Sequence, residues 1–158
     1  MFKRGEYITS FREIERNIYL IKEGAVRAYY ISDEEEDISI RFGYNGSMIN
    51  SINSFISGKP SELAIQALKK TEVLVLPKES YLNFIYHSEE NMKFHIEVMH
   101  GLVQSLMERE IDLLTLSPRN RYNRVLERSP QLFQHIPLKY IASYLRMTPE
   151  TLSRLRNS

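Results

Sequence analysis

Polar side chains near the end of the chain have a spacing that suits recognition of a DNA base edge. One face of a short helix would carry Glu150, Ser153, Arg154 and Asn157. A carboxylate can accept a hydrogen bond from cytosine N4, and an Arg guanidinium can donate two to guanine O6 and N7. The pattern therefore indicates a helix whose outer face contacts bases in the major groove.

Two short helices joined by a tight turn would position this face. Pro137 suits the first turn of the first helix, because proline has no backbone N–H to donate. Thr148 is a good N-cap for the second helix, and Pro149 follows it at the first helical position. The inward residues are Ile141, Ala142, Leu145, Leu152 and Leu155. This is the layout of a helix-turn-helix, although spacing alone equally allows a plain helical hairpin that closes a small core.

The distribution of charge supports the first interpretation. From Pro118 to the end the chain has eight Lys or Arg and two acidic residues, whereas the preceding 117 residues have thirteen basic and eighteen acidic ones. The last segment is therefore near +6 and the rest near −5, while the whole chain is only +1. A basic terminal module indicates a polyanionic partner, since Lys and Arg displace counterions from phosphates.

The stretch PLKYIASYLRMTPETLSRLR resembles the C-terminal helix-turn-helix of the Crp-Fnr family of bacterial transcription regulators, in the branch without a long wing. Glu150, Thr151 and Arg154 match the positions with which that family reads bases and touches phosphates. The DNA-binding residues that the resemblance implies are Lys139, Thr148, Glu150, Thr151, Ser153, Arg154 and Arg156. Arg146 departs from the family, which usually has Gly in this turn. Either the turn is altered, or Arg146 accepts the cost of a positive φ and adds a phosphate contact.

Length and composition narrow the class of protein. A chain of 158 residues, 42% apolar and 26% charged, suits one large or two small globular domains. It has no apolar run of membrane-spanning length and no signal-peptide pattern at its start, so we expect a cytoplasmic protein without a membrane partner. The lack of cysteine excludes a disulfide framework and Cys-ligated zinc or iron–sulfur sites. The four scattered histidines show no ligand spacing, so we expect no metal and no cofactor.

Residues 1 to about 85 have the pattern of short β-strands separated by turns. The predicted strands are Asn17–Ile21, Ala25–Ile31, Asp37–Arg41, Ser61–Gln66 and Glu72–Leu76. With GEYI before them, they are similar in order and spacing to the β-roll of the cyclic-nucleotide-binding domain. The helix of about 20 residues that usually precedes GEYI in that family is not found here, which implies an alternative start or a dispensable lid.

The segment from Ser47 to Leu68 corresponds to the phosphate-binding cassette of that family. Family members that bind cyclic AMP use a Glu for the ribose and an Arg with a small neighbour for the phosphate. In this chain the matching positions hold Ser51, Ser61 and Glu62. A Ser beside a carboxylate cannot neutralise a buried phosphate, so we expect no binding of cyclic AMP. Two alternatives are left for the roll. It has an effector pocket around these residues that is empty, hydrophobic or occupied by another ligand, or it serves only as a scaffold for the dimer.

From Glu89 to about Leu116 the pattern becomes helical. Apolar residues step by four and three along it: Met92, Ile96, Met99, Val103, Leu106 and Leu113. This period is typical of a coiled-coil seam, which Glu110 interrupts, and in the resembling family this helix is the dimer axis. The same stripe would also suit packing against the β-roll of its own chain. We expect both, and hence a homodimer.

Ser117 and Pro118 end the long helix and mark the predicted domain boundary. A basic helix follows at 119–128, where Arg121 and Arg124 either flank DNA phosphates or form a solvated cap. The predicted domains are a β-roll at 1–88, a dimerisation helix at 89–117 and a helix-turn-helix domain at 118–158.

The complete hypothesis is an α+β protein with an N-terminal double-stranded β-helix (a jelly-roll-like β-roll), a long helix and an all-α DNA-binding domain. It would act as a dimeric transcription regulator on double-stranded DNA, with an unknown small-molecule effector or none, and the resemblance also implies RNA polymerase as a candidate partner. A scaffold or ligand-sensing dimer that does not bind DNA is the alternative. An enzyme is disfavoured, because the chain has no Gly-rich phosphate loop, HExxH or GxSxG motif and no Cys nucleophile.

Overall fold

The β-roll is the first structural unit in the computed structural model, which describes residues 1–157. Its strands are β1 (Tyr7–Thr9), β2 (Asn17–Glu23), β3 (Ala25–Ile31), β4 (Asp37–Tyr44), β5 (Met48–Ile49), β6 (Ala64–Ala67) and β7 (Glu72–Pro77). They form two antiparallel sheets with the strand orders β1-β6-β3-β4 and β5-β2-β7. The core between the sheets contains Tyr19, Ile21, Val26, Ala28, Ile49 and Ile65. The predicted β-roll is thereby confirmed.

Two helices within the first 88 residues were missed in the prediction. Helix α1 (Ile52–Ser57) lies in the cassette segment and ends at Gly58, whose φ of 71° is left-handed. Helix α2 (Lys78–His87) occupies residues assigned to the β region up to about 85. Tyr81 and Ile85 are four residues apart and both buried, which fixes one helical face against the roll. A stretch of aromatic and branched residues was therefore misread as β when its period was helical.

The fourth predicted strand also begins too early. Strand β6 starts at Ala64, three residues after the predicted start at Ser61. The Ser61 hydroxyl accepts from the backbone N–H of Leu63 at 3.1 Å, a local turn that competes with strand pairing.

A long helix and four short ones complete the chain. These are α3 (Glu89–Leu114), α4 (Pro118–Arg128), α5 (Leu132–His135), α6 (Leu138–Tyr144) and α7 (Pro149–Arg156). Ser88 caps α3 by accepting from Asn91 N at 3.1 Å. Thr148 caps α7 as predicted, accepting from Thr151 N at 3.2 Å. The last residue of the predicted 118–158 domain lies outside the described residues.

The core of the C-terminal helices is shared with the β-roll. Its buried helical members are Tyr122, Val125, Leu132, Ile136, Ile141, Ala142, Leu145 and Leu152. Ala25 and Leu68 of the roll belong to the same buried cluster, and Phe42 and Tyr44 of β4 pack against it. The C-terminal helices are thus fixed on the outer face of the four-stranded sheet.

The turn between α6 and α7 keeps the left-handed conformation that glycine normally supplies. Arg146 has a φ of 53°. Its N–H donates to Ser143 O at 3.1 Å, and the N–H of Met147 donates to Ala142 O at 3.0 Å. These two bonds are the Schellman pattern that ends a helix at a left-handed residue. The turn is therefore unaltered, and Arg146 bears the conformational cost.

We expect Arg146→Gly to raise the free energy of unfolding by about 0.5–1 kcal/mol, because glycine removes the contact between Cβ and backbone in this conformation. Urea unfolding of both proteins measures the difference. Arg146→Ala is the matched control, since it removes the charged side chain but keeps Cβ, and it should give no gain. An equal gain from Ala would attribute the effect to the charge and not to φ.

Candidate nucleic-acid interface

Helix α7 presents the predicted base-reading residues to solvent. Glu150, Ser153, Arg154 and Arg156 are exposed. Leu152 on the opposite face is completely buried, so it fixes the rotation of the helix about its axis. Glu150 and Arg154, four residues apart, lie on the same outward face.

Hydroxyl groups order the beginning of this helix. Thr148 Oγ1 lies 3.1 Å from Thr151 Oγ1, and Arg154 Nη2 donates to Thr151 Oγ1 at 3.4 Å. Thr151 is half-buried, and its hydroxyl is engaged on both sides. The Arg154 side chain is thus held along the helix surface, which reduces the rotamer entropy lost when it binds a partner.

Lys139 lies on α6, close to the start of α7. It is exposed, with Nζ 4.7 Å from the centroid of the Tyr140 ring. Lys139 lines the same surface groove as Thr148 and Pro149. The structure therefore brings the predicted contacts from both helices of the motif onto one side of the molecule.

Ion pairs around one buried carboxylate join this module to α3. Asp112 of α3 is 1% exposed and accepts from Arg124 Nε at 2.8 Å and from Arg128 Nη2. Glu108 accepts from Arg124 Nη2 at 2.8 Å and from Arg128 Nη1 at 3.3 Å. The hydrogen bond to Asp112 raises the pKa of Arg128. The side chains that link the two helices are called the α3–α4 clamp below: Glu108, Asp112, Arg124 and Arg128.

The clamp changes the interpretation of the basic helix at 119–128. Arg124 pairs with two carboxylates, so much of its charge is already compensated within the protein. Arg121 donates to Thr115 O at 3.1 Å and to Arg146 O at 3.4 Å, which ties α4 to the end of α3 and to the turn. Both arginines position the helix-turn-helix module. Sequence reasoning could have paired Arg124 and Arg128 with Glu108 and Asp112, since each pair lies one helical turn apart on its own helix.

Strand β4 holds the first helix of the motif. Ser143 Oγ donates to Asp37 O at 3.0 Å and accepts from Ser39 N at 3.0 Å. Arg27 pairs with Asp37 at 2.8 Å, and its guanidinium carbon lies 4.4 Å from the centroid of Tyr140. These contacts attach α6 to the roll by directional bonds as well as by the shared apolar core.

The same contacts place an acidic hairpin beside the basic motif. The β3–β4 connection and the first residue of β4 contain five consecutive acidic residues at 33–37. Glu36 and Asp37 line a groove of about 590 Å³ together with Lys139, Arg146 and Thr148. Sequence analysis treated this segment only as turn material. The tertiary structure places it beside the predicted DNA-binding residues of the helix-turn-helix.

The predicted effector residues are only partly brought together. Ser51 and Ser61 are buried, with their Oγ atoms 2.7 Å apart. Glu62 and Lys59 are exposed. The serine pair is satisfied within the protein, since the Ser61 hydroxyl also lies 2.7 Å from Leu63 O.

A cavity of about 580 Å³ lies elsewhere, between the roll and helices α1, α2 and α3. Neither Ser51, Ser61 nor Glu62 lines it. Its walls include Phe55 of α1, Ile85 of α2 and Leu102 of α3, and Arg41 reaches it from β4. The sequence signal that could have located it is the inward face of α2, whose helical period was missed.

The predicted seam of α3 divides between two faces. Met92 and Met99 line the cavity, and Leu113 is half-buried. Ile96, Val103 and Leu106 are exposed, as are Met107 and Leu114, which the prediction omitted. Packing on its own roll and an apolar outward stripe therefore coexist on this helix, as expected.

Comparisons with known proteins agree with this architecture. The model of the cyclic nucleotide-binding domain matches residues 1–88. The chain belongs to the cyclic nucleotide-binding domain family. No curated protein sequence matches the chain. Within residues 1–157, no helix is both long and apolar enough to cross a membrane.

Solved structures with the same fold extend over the whole chain. FixK2 from Bradyrhizobium japonicum has a TM-score of 0.83 at 20% identity, covering 99% of this chain and 80% of its own. TTHB099 from Thermus thermophilus, a transcriptional regulator of the CRP family, has a TM-score of 0.72 at 19% identity. The match covers 99% of this chain and 81% of TTHB099. A CooA mutant from Carboxydothermus hydrogenoformans has a TM-score of 0.77 at 17% identity. The match covers 99% of this chain and 72% of the CooA chain. The predicted Crp-Fnr architecture is confirmed, and the similar proteins described by function are regulators and not enzymes.

We expect Asp112→Asn to lower the free energy of unfolding by about 2–3 kcal/mol, because two arginines lose the charge of a buried acceptor. Water weakens the electrostatic interaction and so limits the expected loss of stability, since the Arg124 and Arg128 side chains are 36% and 30% exposed. Glu108→Gln is the control. Its carboxylate is 36% exposed, so we expect a loss of at most about 1 kcal/mol. Urea unfolding measures both, and equal losses would contradict the central role of Asp112.

Proposed function

We propose that the protein is a sequence-specific, DNA-binding transcription regulator that acts as a dimer and does not respond to cyclic AMP. The observation that carries the proposal is the outward face of α7. It combines an exposed acceptor, Glu150, with an exposed donor, Arg154, on a helix whose rotation is fixed by buried Leu152. A helix held in this way can discriminate base pairs, because its polar atoms are already oriented.

Each side chain has a distinct role in this mechanism. Glu150 and Arg154 contact base edges in the major groove, where a bidentate Arg recognises guanine. Lys139 and Arg156 contact phosphates, which fix the register of the protein on the duplex without reading sequence. Ser153 adds a hydroxyl on the same exposed face.

The acidic hairpin opposes this binding in the observed arrangement. Glu36 and Asp37 line the same groove as Lys139 and Thr148, so their negative charge disfavours the approach of a phosphate to this groove, although Asp37 is paired with Arg27. DNA binding therefore competes with the contact between the hairpin and the module.

The outward stripe of α3 supports the dimer. Ile96 and Leu114, 18 residues apart, are both exposed, so the stripe extends over about 27 Å of helix. Between them, Val103 is 58% and Met107 52% exposed. Two copies that pair these stripes would bury apolar area that a monomer leaves in water. The pair would present two α7 helices to successive major grooves.

The cassette residues support independence from cyclic AMP. The positions that would hold a ribose carboxylate and a phosphate-binding Arg carry Ser51 and Ser61, whose hydroxyls bond to each other. The cassette cation Lys59 is exposed on the surface. A buried cyclic phosphate would thus lack the charge-assisted hydrogen bonds that offset its desolvation.

Selection from a pool of random duplexes tests the function. The full-length protein should enrich a palindrome whose half-sites lie one helical turn apart, with the same sequence in the presence and absence of cyclic AMP. Enrichment only with cyclic AMP would overturn the interpretation of Ser51 and Ser61. Weak, salt-sensitive binding without any enriched sequence would favour the alternative of a scaffold that does not read DNA.

We expect Arg154→Ala to lose about 1–3 kcal/mol of discrimination at one base pair of the selected site, because a bidentate contact is removed. Lys139→Ala is the matched control from the same motif. It should weaken binding to all sequences alike and reduce the slope of affinity against salt. Fluorescence anisotropy with single-base variants of the site measures both, and unchanged binding by both variants would refute the assignment of α7.

We expect Val103→Glu to convert the dimer to a monomer, since it places two like charges at the centre of an apolar seam. Gln104→Glu introduces the same charge at the next, exposed position outside the stripe and should leave the dimer intact. Sedimentation velocity distinguishes the two states. A dimeric Val103→Glu protein would place the subunit interface elsewhere.

A further inference from the structure

The cavity between the roll and helices α1–α3 has an apolar lining with cationic groups at two points. Its apolar wall comprises Ile18, Met48, Ile49, Ile52, Phe55, Ile56, Leu82, Ile85, Met92, Val98, Met99 and Leu102. Arg41 and Lys78 are the cationic residues, and no acidic residue lines the cavity within the described chain. At about 580 Å³ it lies within the range of roughly 300–1,000 Å³ that is usual for small-molecule sites.

Arg41 is a half-buried cation of this lining that has no counter-ion within the described residues. Its side chain makes no hydrogen bond or ion pair with residues 1–157, and its one electrostatic neighbour is the phenol of Tyr144. Burial lowers the pKa of Arg41, although a guanidinium remains protonated at neutral pH. By contrast, Arg27 on β3 pairs with Asp37 and with Gln66. A partly desolvated charge without a partner is costly, and an anion in the cavity would offset that cost.

Three polar residues of the lining, Lys78, Tyr81 and His95, already have partners within the protein. Lys78 donates to Phe55 O and lies 5.1 Å from the centroid of the Phe55 ring. Tyr81 Oη and His95 Nδ1 are 2.8 Å apart and satisfy each other. The ligand is therefore expected to bring one anionic group for Arg41 and an apolar body for the rest of the wall.

The cavity and the proposed dimer seam use different faces of α3. Met92, Met99 and Leu102 line the cavity, whereas Val103 and Met107 point outward. A second copy on the outward stripe would leave the cavity side free. Occupation by a ligand and dimerisation are thus compatible.

We propose that this cavity binds an amphipathic monoanion, a chain or ring of apolar character with one carboxylate, whose carboxylate forms a bidentate pair with Arg41. A guanidinium fork matches a carboxylate in geometry and charge. A cyclic nucleotide fits poorly, because its ribose and base would place many polar atoms against aliphatic walls.

A regulatory consequence rests on the proposed function. Ser105 of α3 lines the cavity, and Glu108 and Asp112 of the clamp follow one and two turns further along the same helix. A ligand between α3 and the roll would bias the position of α3, and the clamp would pass this change to the DNA-binding module. The ligand would then be the effector.

Calorimetric titration of the DNA-free protein tests the site directly. Decanoate and 1-decanol, which have chains of the same length, are the probes. We expect decanoate to bind at least tenfold more tightly than decanol, because decanol lacks the anion. Equal affinity for both, or binding of neither, would overturn the proposal.

Variants locate the anion. Arg41→Gln should lower the affinity for decanoate at least tenfold and leave that for decanol unchanged, whereas Arg41→Lys should keep the preference for decanoate. Arg16→Gln is the matched control, since it removes an exposed arginine that does not line the cavity, and it should bind decanoate as the wild type does. If Arg41→Gln does not fold, the affinities of Arg41→Lys and of the wild type for decanoate and decanol still test whether the site prefers an anion. A preference for decanoate that survives in folded Arg41→Gln would refute the role of Arg41.

The outcomes for the ligand site and for the regulator can be separated. Tight binding of decanoate together with failure of duplex selection would support the site and reject the proposed function. Enrichment of a palindrome by a protein that binds neither probe would reject the ligand and leave the regulator intact. Displacement of decanoate by cyclic AMP at similar concentration would overturn the proposed ligand class.

Discussion

The arrangement of the molecule depends on the hydrogen bonds that the buried carboxylate of Asp112 accepts from α4. This carboxylate receives hydrogen bonds from two arginines of α4, so the helix-turn-helix module is oriented relative to α3 by directional, charge-assisted bonds. Apolar contacts alone would allow the short helices to slide, because the hydrophobic effect has little directionality. Losing one member of such a buried group leaves unpaired charges, and this cost makes alternative orientations of α4 unfavourable.

Helix α3 has three separate roles along one length. Its inward face closes the cavity with Met92, Met99 and Leu102, and its outward face is the apolar stripe that includes Val103. Its C-terminal third carries the acidic half of the clamp. The cavity lining, the outward stripe and the acidic half of the clamp therefore belong to one continuous helix.

Folding brings acidic residues of the first part of the chain close to basic residues of the last part. The acidic residues of the roll are not dispersed evenly, since five of them form the segment 33–37 beside the basic helix-turn-helix. Ser143 and Arg27 attach this segment to α6 and Tyr140. The same contacts that stabilise the module on the roll place these acidic residues beside the basic groove of the helix-turn-helix.

The order of the main structural units and the outward face of α7 could be predicted from the amino-acid sequence alone, whereas helices α1 and α2 were missed. Strand periodicity, the Thr148 cap and the alternation of Leu152 with polar residues are local signals, so they are readable without tertiary contacts. Which charged and polar groups meet became clear from the folded structure alone. It pairs Arg124 with Asp112, places the Ser51 and Ser61 hydroxyls within hydrogen-bonding distance, and leaves Arg41 without a carboxylate beside an apolar cavity. These outcomes depend on residues that are far apart in the chain, and no pattern of local spacing specifies them.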